Sequence, residues 1–98
     1  MTTAEEQYTE TARTVIHRIR ERTSAPHTLT TILSETTDRG RQYFSITVLQ
    51  RTEEGTQSVC TVPDITADRE EADELFRAIT EGYVTPCTLQ DVISDLLG

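Results

Sequence analysis

Cys87, in the segment TPCTLQDV, is the residue of this chain best placed for nucleophilic chemistry. It precedes a predicted helix, and the N-terminal end of a helix can lower the pKa of a nearby thiol. A thiol nucleophile also needs a base, for which the chain offers His17 and His27. The sequence gives no reason to place either histidine beside Cys87. We therefore expect no catalytic activity, and a thiol-dependent enzyme or sensor centred on Cys87 is an alternative.

Two aspartate pairs could offer carboxylates to a hard cation such as magnesium or calcium. Asp91 and Asp95 lie one helical turn apart, and Asp64 and Asp68 have the same spacing at a predicted helix start. No loop shows the alternating acidic ligands of a calcium site, and two cysteines are too few for a structural zinc site. We expect solvated acids, no metal and no other cofactor.

The only basic cluster of the sequence lies near its start. It contains four of the nine arginines, Arg13, Arg18, Arg20 and Arg22. Such a cluster can bind phosphate backbones, but no aromatic residues interleave with it. The chain has 17 acidic residues, nine basic ones and a net charge of -8, which opposes binding to nucleic acid. This charge asymmetry favours a protein partner or a second copy, with a nucleic-acid-binding module as an alternative.

The first segment shows the apolar spacing of an amphipathic helix. The residues with this spacing are Tyr8, Ala12, Val15, Ile16 and Ile19. Glutamates precede this stripe and arginines follow it, which suits the dipole of a helix. Pro26 ends the pattern because the residue before a proline disfavours helical dihedrals. The sequence therefore predicts an N-terminal helix within residues 1–24.

Residues 28–63 have the pattern of a three-stranded antiparallel meander. Segments 29–35, 42–50 and 57–62 are rich in threonine and β-branched residues, and glycine turns separate them. A two-residue turn at Arg39 and Gly40 predicts that Leu33 lies opposite Ile46. A three-residue turn ending at Gly55 places Ile46 opposite Val62 and Val48 opposite Cys60.

This register divides the apolar residues unequally between the two faces of the sheet. The richer face receives Leu29, Leu33, Phe44, Ile46, Val48, Cys60 and Val62. The thinner face receives Ile32, Tyr43, Leu49 and Val59. A thinner face left uncovered in a monomer would mark an interface.

Residues 66–98 predict a pair of helices. Asp68 with Glu71 has the form of a capping box, and Gly82 has the position of a left-handed residue that closes the helix. Thr88 follows Pro86 and is the predicted cap of the last helix. Both helices carry an apolar stripe that can cover the richer face of the sheet.

The motifs DITADREEA and EGYVTPCTLQDVISDLL resemble the C-terminal signature of a family of uncharacterised bacterial proteins, a domain of unknown function found mainly in clostridia. The resemblance covers roughly the last forty residues. In that family a histidine often stands at the place that Thr88 occupies here. The resemblance implies a fold of this kind and no activity.

Together these patterns predict one α+β domain, 1–98: a helix, a three-stranded antiparallel meander, and two helices packed on one face of the sheet. The first helix would either join that layer or cover the thinner face. The start of the chain lacks a secretory signal, and no apolar run is long enough to span a membrane, so we expect a soluble cytoplasmic protein without membrane contact.

The function favoured by these patterns is a protein-interaction or small regulatory domain that self-associates weakly. Its predicted interaction surface combines Arg13, Arg18, Arg20, Arg22, Ile32, Tyr43, Leu49 and Val59.

Overall fold

A computed structural model of the chain describes residues 12–98. Four antiparallel strands form one sheet in the order in which they occur in the chain. They are β1 (Ala12–Ser24), β2 (His27–Asp38), β3 (Arg41–Thr52) and β4 (Gln57–Thr66). Helix α1 (Arg69–Glu81), a short 3-10 helix (Pro86–Thr88) and helix α2 (Leu89–Leu97) follow.

The predicted N-terminal helix is wrong, because its described part is strand β1. The reason is a β-bulge at His17, where the register with β2 shifts between Ile16 and Arg18. A bulge adds one residue to a strand, so Ile16 and Ile19 lie on the same face although they are three residues apart. This spacing imitates one turn of a helix. The part of the predicted helix that includes Tyr8 lies outside the described residues.

The predicted register of the meander is confirmed in the strands that became β2, β3 and β4. Leu33 pairs with Ile46, and Val48 pairs with Cys60. Arg39 and Gly40 have φ values of 55° and 80°, as a two-residue hairpin turn with both central residues left-handed requires. Thr52 and Thr56 close the three-residue turn that ends at Gly55, with the amide of Thr52 donating to the carbonyl of Thr56 at 2.9 Å.

Strand β4 is longer than the predicted segment 57–62, because it continues through Pro63 to Thr66. Ile46 pairs with Val62 and Phe44 pairs with Thr66, so three residues of β4 lie opposite one residue of β3. Asp64, within this irregularity, has a φ of 58°. The interruption accommodates Pro63, which has no N–H for the ladder.

The predicted helical layer over the richer face of the sheet is confirmed. One continuous core joins strands β2, β3 and β4 to both helices; its buried residues are Leu29, Leu33, Phe44, Ile46, Val48, Ile65, Ala72, Leu75, Phe76, Ile79, Val84, Leu89 and Ile93. Cys60 and Val62 are partly buried against it. Strand β1 contributes no residue to this core within the described part of the chain.

The helix boundaries are close to those predicted, but the predicted capping is only partly present. Asp68 caps α1, and its side chain accepts a hydrogen bond from the amide of Glu70, whereas Glu71 accepts from Thr66 and not from Asp68. Thr88 precedes α2 without a side-chain hydrogen bond to the helix.

The predicted left-handed Gly82 is wrong, because Gly82 has a φ of -87° and Tyr83 adopts the left-handed conformation with a φ of 54°. This conformation places Tyr83 next to β1, where its ring contacts Arg22.

Candidate interaction surfaces

The sheet face opposite the helices is not covered by any element of the described residues, and we call it the open face. Antiparallel partners that lie directly opposite one another share a face, so the register defines its rows. From one end to the other, the three central rows are Glu21–Thr30–Leu49–Val59, Ile19–Ile32–Thr47–Thr61 and Ile16–Ser34–Ser45. Thr36 and Tyr43 form the next row together with Thr14.

The open face brings together the four apolar residues predicted for it, Ile32, Tyr43, Leu49 and Val59. It adds Ile16 and Ile19, which the helical interpretation of the first segment had assigned elsewhere. Ile16 is 56% exposed, Ile19 is 59% exposed and Val59 is 64% exposed. Such exposure of neighbouring aliphatic side chains is the kind of feature that marks an interaction surface.

Most of the remaining open-face side chains are hydroxyls, and several of these bond to one another across strands. Thr47 and Thr61 share a hydrogen bond of 2.8 Å between their side chains, and Thr14 and Thr36 share one of 3.1 Å. Hydroxyls paired in this way need fewer partners from water or from another molecule. Removing the open face from water therefore costs less free energy than its threonine content suggests.

Charged groups at the far end of the open face neutralise each other. The guanidinium of Arg41 donates a hydrogen bond to the carboxylate of Asp64 and lies 5.1 Å from the centre of the Tyr43 ring. The hydrogen bond and the charge of Asp64 raise the pKa of Arg41 above its usual value. Tyr43 is thus held by a cation on one side of its ring.

The four arginines of the predicted interaction surface lie on the other face of β1, on the side of the helices. Arg18, Arg20 and Arg22 pair with Leu33, Thr31 and Leu29, whose side chains are buried beneath the helices. Arg13 pairs with Thr37, which has the same orientation in the uninterrupted strand β2. The predicted interaction surface therefore divides into two: an open face of apolar residues and hydroxyls, and a row of arginines on the opposite side of the edge strand.

Two of these arginines connect β1 to α1. The Nε atom of Arg18 lies 3.5 Å from Oδ1 of Asp73, whose Oδ2 lies 3.6 Å from Nε of Arg69. The Oδ1 atom is buried and makes no hydrogen bond within the described residues, so its interaction with Arg18 is that of an ion pair. The side chain of Arg20 makes no ion pair or hydrogen bond with any described residue.

Arg22 is attached to the end of α1 by three contacts. Its Nη1 donates to the Thr80 carbonyl at 2.9 Å, and its Nη2 donates to the Tyr83 hydroxyl at 2.8 Å. Its guanidinium carbon lies 4.1 Å from the centre of the Tyr83 ring. A cation at the C-terminal end of a helix also interacts favourably with the helix dipole. Arg22 therefore has a structural role.

The residues considered for catalysis are not brought together. His17 hydrogen-bonds to Glu35, and its ring centre lies 5.8 Å from that of Phe44. Cys87 is exposed, and its sulfur shares a contact of 3.4 Å with the Thr85 hydroxyl. His27 begins β2, opposite Ser24 and Thr52.

The aspartates considered as metal ligands have separate roles. Asp64 is paired with Arg41, and Asp68 caps α1. Asp91 lies in the first turn of α2. Across residues 12–98 no group of three or more potential ligands could hold a metal ion. None of the helices in this part of the chain is long and apolar enough to cross a membrane.

A model of the family of unknown function DUF6514 matches residues 10–98. The chain belongs to this family. The match includes the whole sheet and both helices, so it is not limited to the last forty residues. No curated protein and no solved structure matches the chain significantly. The DUF6514 domain of this chain is thus a four-stranded meander with two helices on one face.

Proposed function

We propose that this chain is a protein-interaction domain that self-associates weakly by packing the open faces of two copies against each other. The observation that carries the proposal is the exposure of Ile16, Ile19 and Val59 on one face of the sheet. Burying such side chains in a sheet-on-sheet contact removes apolar surface from water, which is the main favourable contribution to association.

Charge favours a second copy as the occupant of the open face. The chain has a net charge of -8, and residues 64–98 contain nine acidic residues against two arginines. Contact through the outer sides of the helices would therefore bring like charges together. The open face carries three acidic residues, Glu21, Asp38 and Asp64, and two basic ones, Arg41 and Arg51. Its charges nearly cancel, so two open faces meet with much less repulsion than two helical layers would.

The size of the open face predicts that this association is weak. Strands about 4.8 Å apart that rise about 3.3 Å per residue give a four-stranded face of about 500 Å² when about eight residues of each strand take part. Two faces would then bury about 1,000 Å², which is the lower end of the range for specific interfaces. We therefore expect a dimer that forms at high protein concentration and dissociates on dilution.

Sedimentation analysis over a wide concentration range tests the proposal with Val59→Arg. The wild-type mass should rise towards twice the protomer mass. Val59 is 64% exposed, so the substitution should leave the fold intact. In the dimer it would bury two unpaired cations, so self-association should weaken at least tenfold.

Leu96→Arg is the matched control, because Leu96 is a 49% exposed apolar residue on α2, away from the open face. It should dimerise as the wild type does. A mass that stays at one protomer at every concentration contradicts the proposal, and so does a dimer that Leu96→Arg disrupts and Val59→Arg does not. The first result would mean that the open face binds a different partner or another part of the same chain.

A further inference from the structure

The outer edge of β1 is a second surface at which another molecule could bind, because its backbone hydrogen-bonding groups lack a strand partner among the described residues. Within the described residues β1 pairs only with β2, along twelve register positions, so its other side presents backbone groups without a strand partner. An exposed edge of this kind can accept an additional strand. The edge is separate from the open face, so binding at this edge does not require the proposed self-association.

The opposite edge of the sheet is interrupted near its C-terminal end. Strand β4 contains Pro63, an irregular register and the left-handed Asp64. Proline and bulges are devices that prevent a further strand from pairing with an edge. The bulge of β1 lies at His17, and the segment that follows it, from Arg18 to Ser24, pairs with β2 without interruption. Residues 57–62 of β4 also pair without interruption, so the two edges differ chiefly in their side chains: this stretch of β4 has no charged residue, whereas β1 carries a row of arginines.

The side chains of β1 beyond the bulge alternate between two chemical types. Arg18, Arg20 and Arg22 lie on the helix side, and Ile19, Glu21 and Thr23 lie on the open side. An added strand would have every second residue next to an arginine. Opposite charges that face each other on neighbouring strands stabilise the pairing, and like charges destabilise it.

We propose that the edge of β1 between Arg18 and Ser24 binds an extended segment of a partner protein that carries acidic residues at alternate positions. Main-chain hydrogen bonds would supply the general affinity, and the arginine row would supply the specificity. Arg20 is the most available of the three cations, because it has no ion pair among the described residues. An apolar residue between the acids would lie beside Ile19, which is 59% exposed.

A second copy of β1 fits this edge poorly. Symmetric antiparallel pairing centred on Arg20 would place Arg20 opposite itself, and Arg18 opposite Arg22 of the other copy. Like charges directly opposite one another are unfavourable, so the arginine row opposes edge-to-edge dimers. The same row that selects an acidic strand therefore also protects the edge from self-pairing.

An NMR titration of the full-length protein tests this proposal with two short capped peptides of equal composition. One is Thr-Glu-Val-Glu-Val-Glu-Thr, and the other, Val-Thr-Glu-Glu-Glu-Thr-Val, groups the same acids together. The alternating peptide should shift and protect the backbone amides of β1, and it should bind several-fold more tightly than the grouped one. Arg20→Glu should weaken its binding about tenfold, because one attractive pair becomes repulsive.

Arg77→Glu is the matched control, since it makes the same charge change on the exposed side of α1. It should leave the affinity within twofold of the wild type. Equal binding of both peptides, or equal weakening by Arg20→Glu and Arg77→Glu, would mean that only net charge attracts the peptide and would overturn the proposal. Failure of the alternating peptide to perturb β1 would overturn it as well, whatever the oligomeric state of the protein.

Discussion

The two faces of the sheet are built by the same strands but carry different kinds of side chain. On the covered face Leu33, Ile46 and Val48 are completely buried under the helices. On the open face Ile19 and Val59 are more than half exposed, and threonines lie among them. The covered face stabilises the domain, whereas the open face keeps apolar surface in contact with water, which the fold of one copy does not require.

The faces also differ in how β1 participates. Strands β2, β3 and β4 place apolar residues on the covered face, but β1 places arginines there. Those arginines contact the margin of α1 through Asp73, Thr80 and Tyr83. As a result β1 is connected to the helical layer by polar contacts and extends the open face with Ile16 and Ile19. Among the four strands, β1 therefore contributes least to the stability of the domain and most to its binding surfaces.

Truncation of one side chain on each face should give the largest contrast. Ile46→Ala should lower the free energy of unfolding by about 3 kcal/mol, because it removes a fully buried side chain and leaves a cavity. Val59→Ala should change it by less than about 0.5 kcal/mol. Urea denaturation of dilute protein measures both values. Similar losses in the two variants would show that the open face is covered in the folded protomer.

Truncation of single arginines in β1 should give an intermediate effect. Arg22→Ala should cost about 1–2 kcal/mol, since it removes hydrogen bonds to Thr80 and Tyr83 and a cation–π contact. Arg20→Ala, the neighbouring control, should stay within about 0.5 kcal/mol of the wild type. Equal effects on the midpoint of urea unfolding would contradict a specific attachment of β1 to α1 through Arg22.

The smallest effect on protomer stability is expected for Thr47→Val at the centre of the open face. It removes the hydroxyl pair with Thr61, but valine suits a strand, so stability should change by less than about 0.5 kcal/mol. Self-association should tighten by a factor of about three, because each copy gains apolar surface in the contact. Thr37→Val, on the other face of β2, is the control and should leave the sedimentation profile unchanged. A dimer no tighter in Thr47→Val than in Thr37→Val would argue against the open face as the contact.

The sequence is sufficient to predict the pairing of β2, β3 and β4, since short turns with glycine restrict the register. Gly40 and Gly55 mark those turns, and a turn of known length leaves one pairing for Leu33 and Val48. It is also sufficient for α1 and α2, whose starts at Asp68 and Thr88 agree with their apolar stripes. In these segments local signals and tertiary structure agree.

The first segment is different because its local signals conflict. The spacing of Val15, Ile16 and Ile19 indicates a helix, whereas the alternation of Arg18, Arg20 and Arg22 is the period of a strand. The alternating arginines were the signal that could have revealed β1, and with it the inclusion of Ile16 and Ile19 in the open face. The bulge at His17 conceals the strand period in the apolar residues.

The amino-acid sequence by itself determined the meander register, the helical pair and the apolar residues that the meander places on the two sheet faces, because each depends on turns, caps and periodicity within one or two neighbouring elements. Only the tertiary structure decided that residues 12–24 form a strand, since that choice depends on pairing with β2. It also decided that the arginines and the thinner apolar set lie on opposite sides of the sheet. A bulge reverses the face on which the following residues lie, and its position depends on the pairing with the partner strand, which no local pattern specifies.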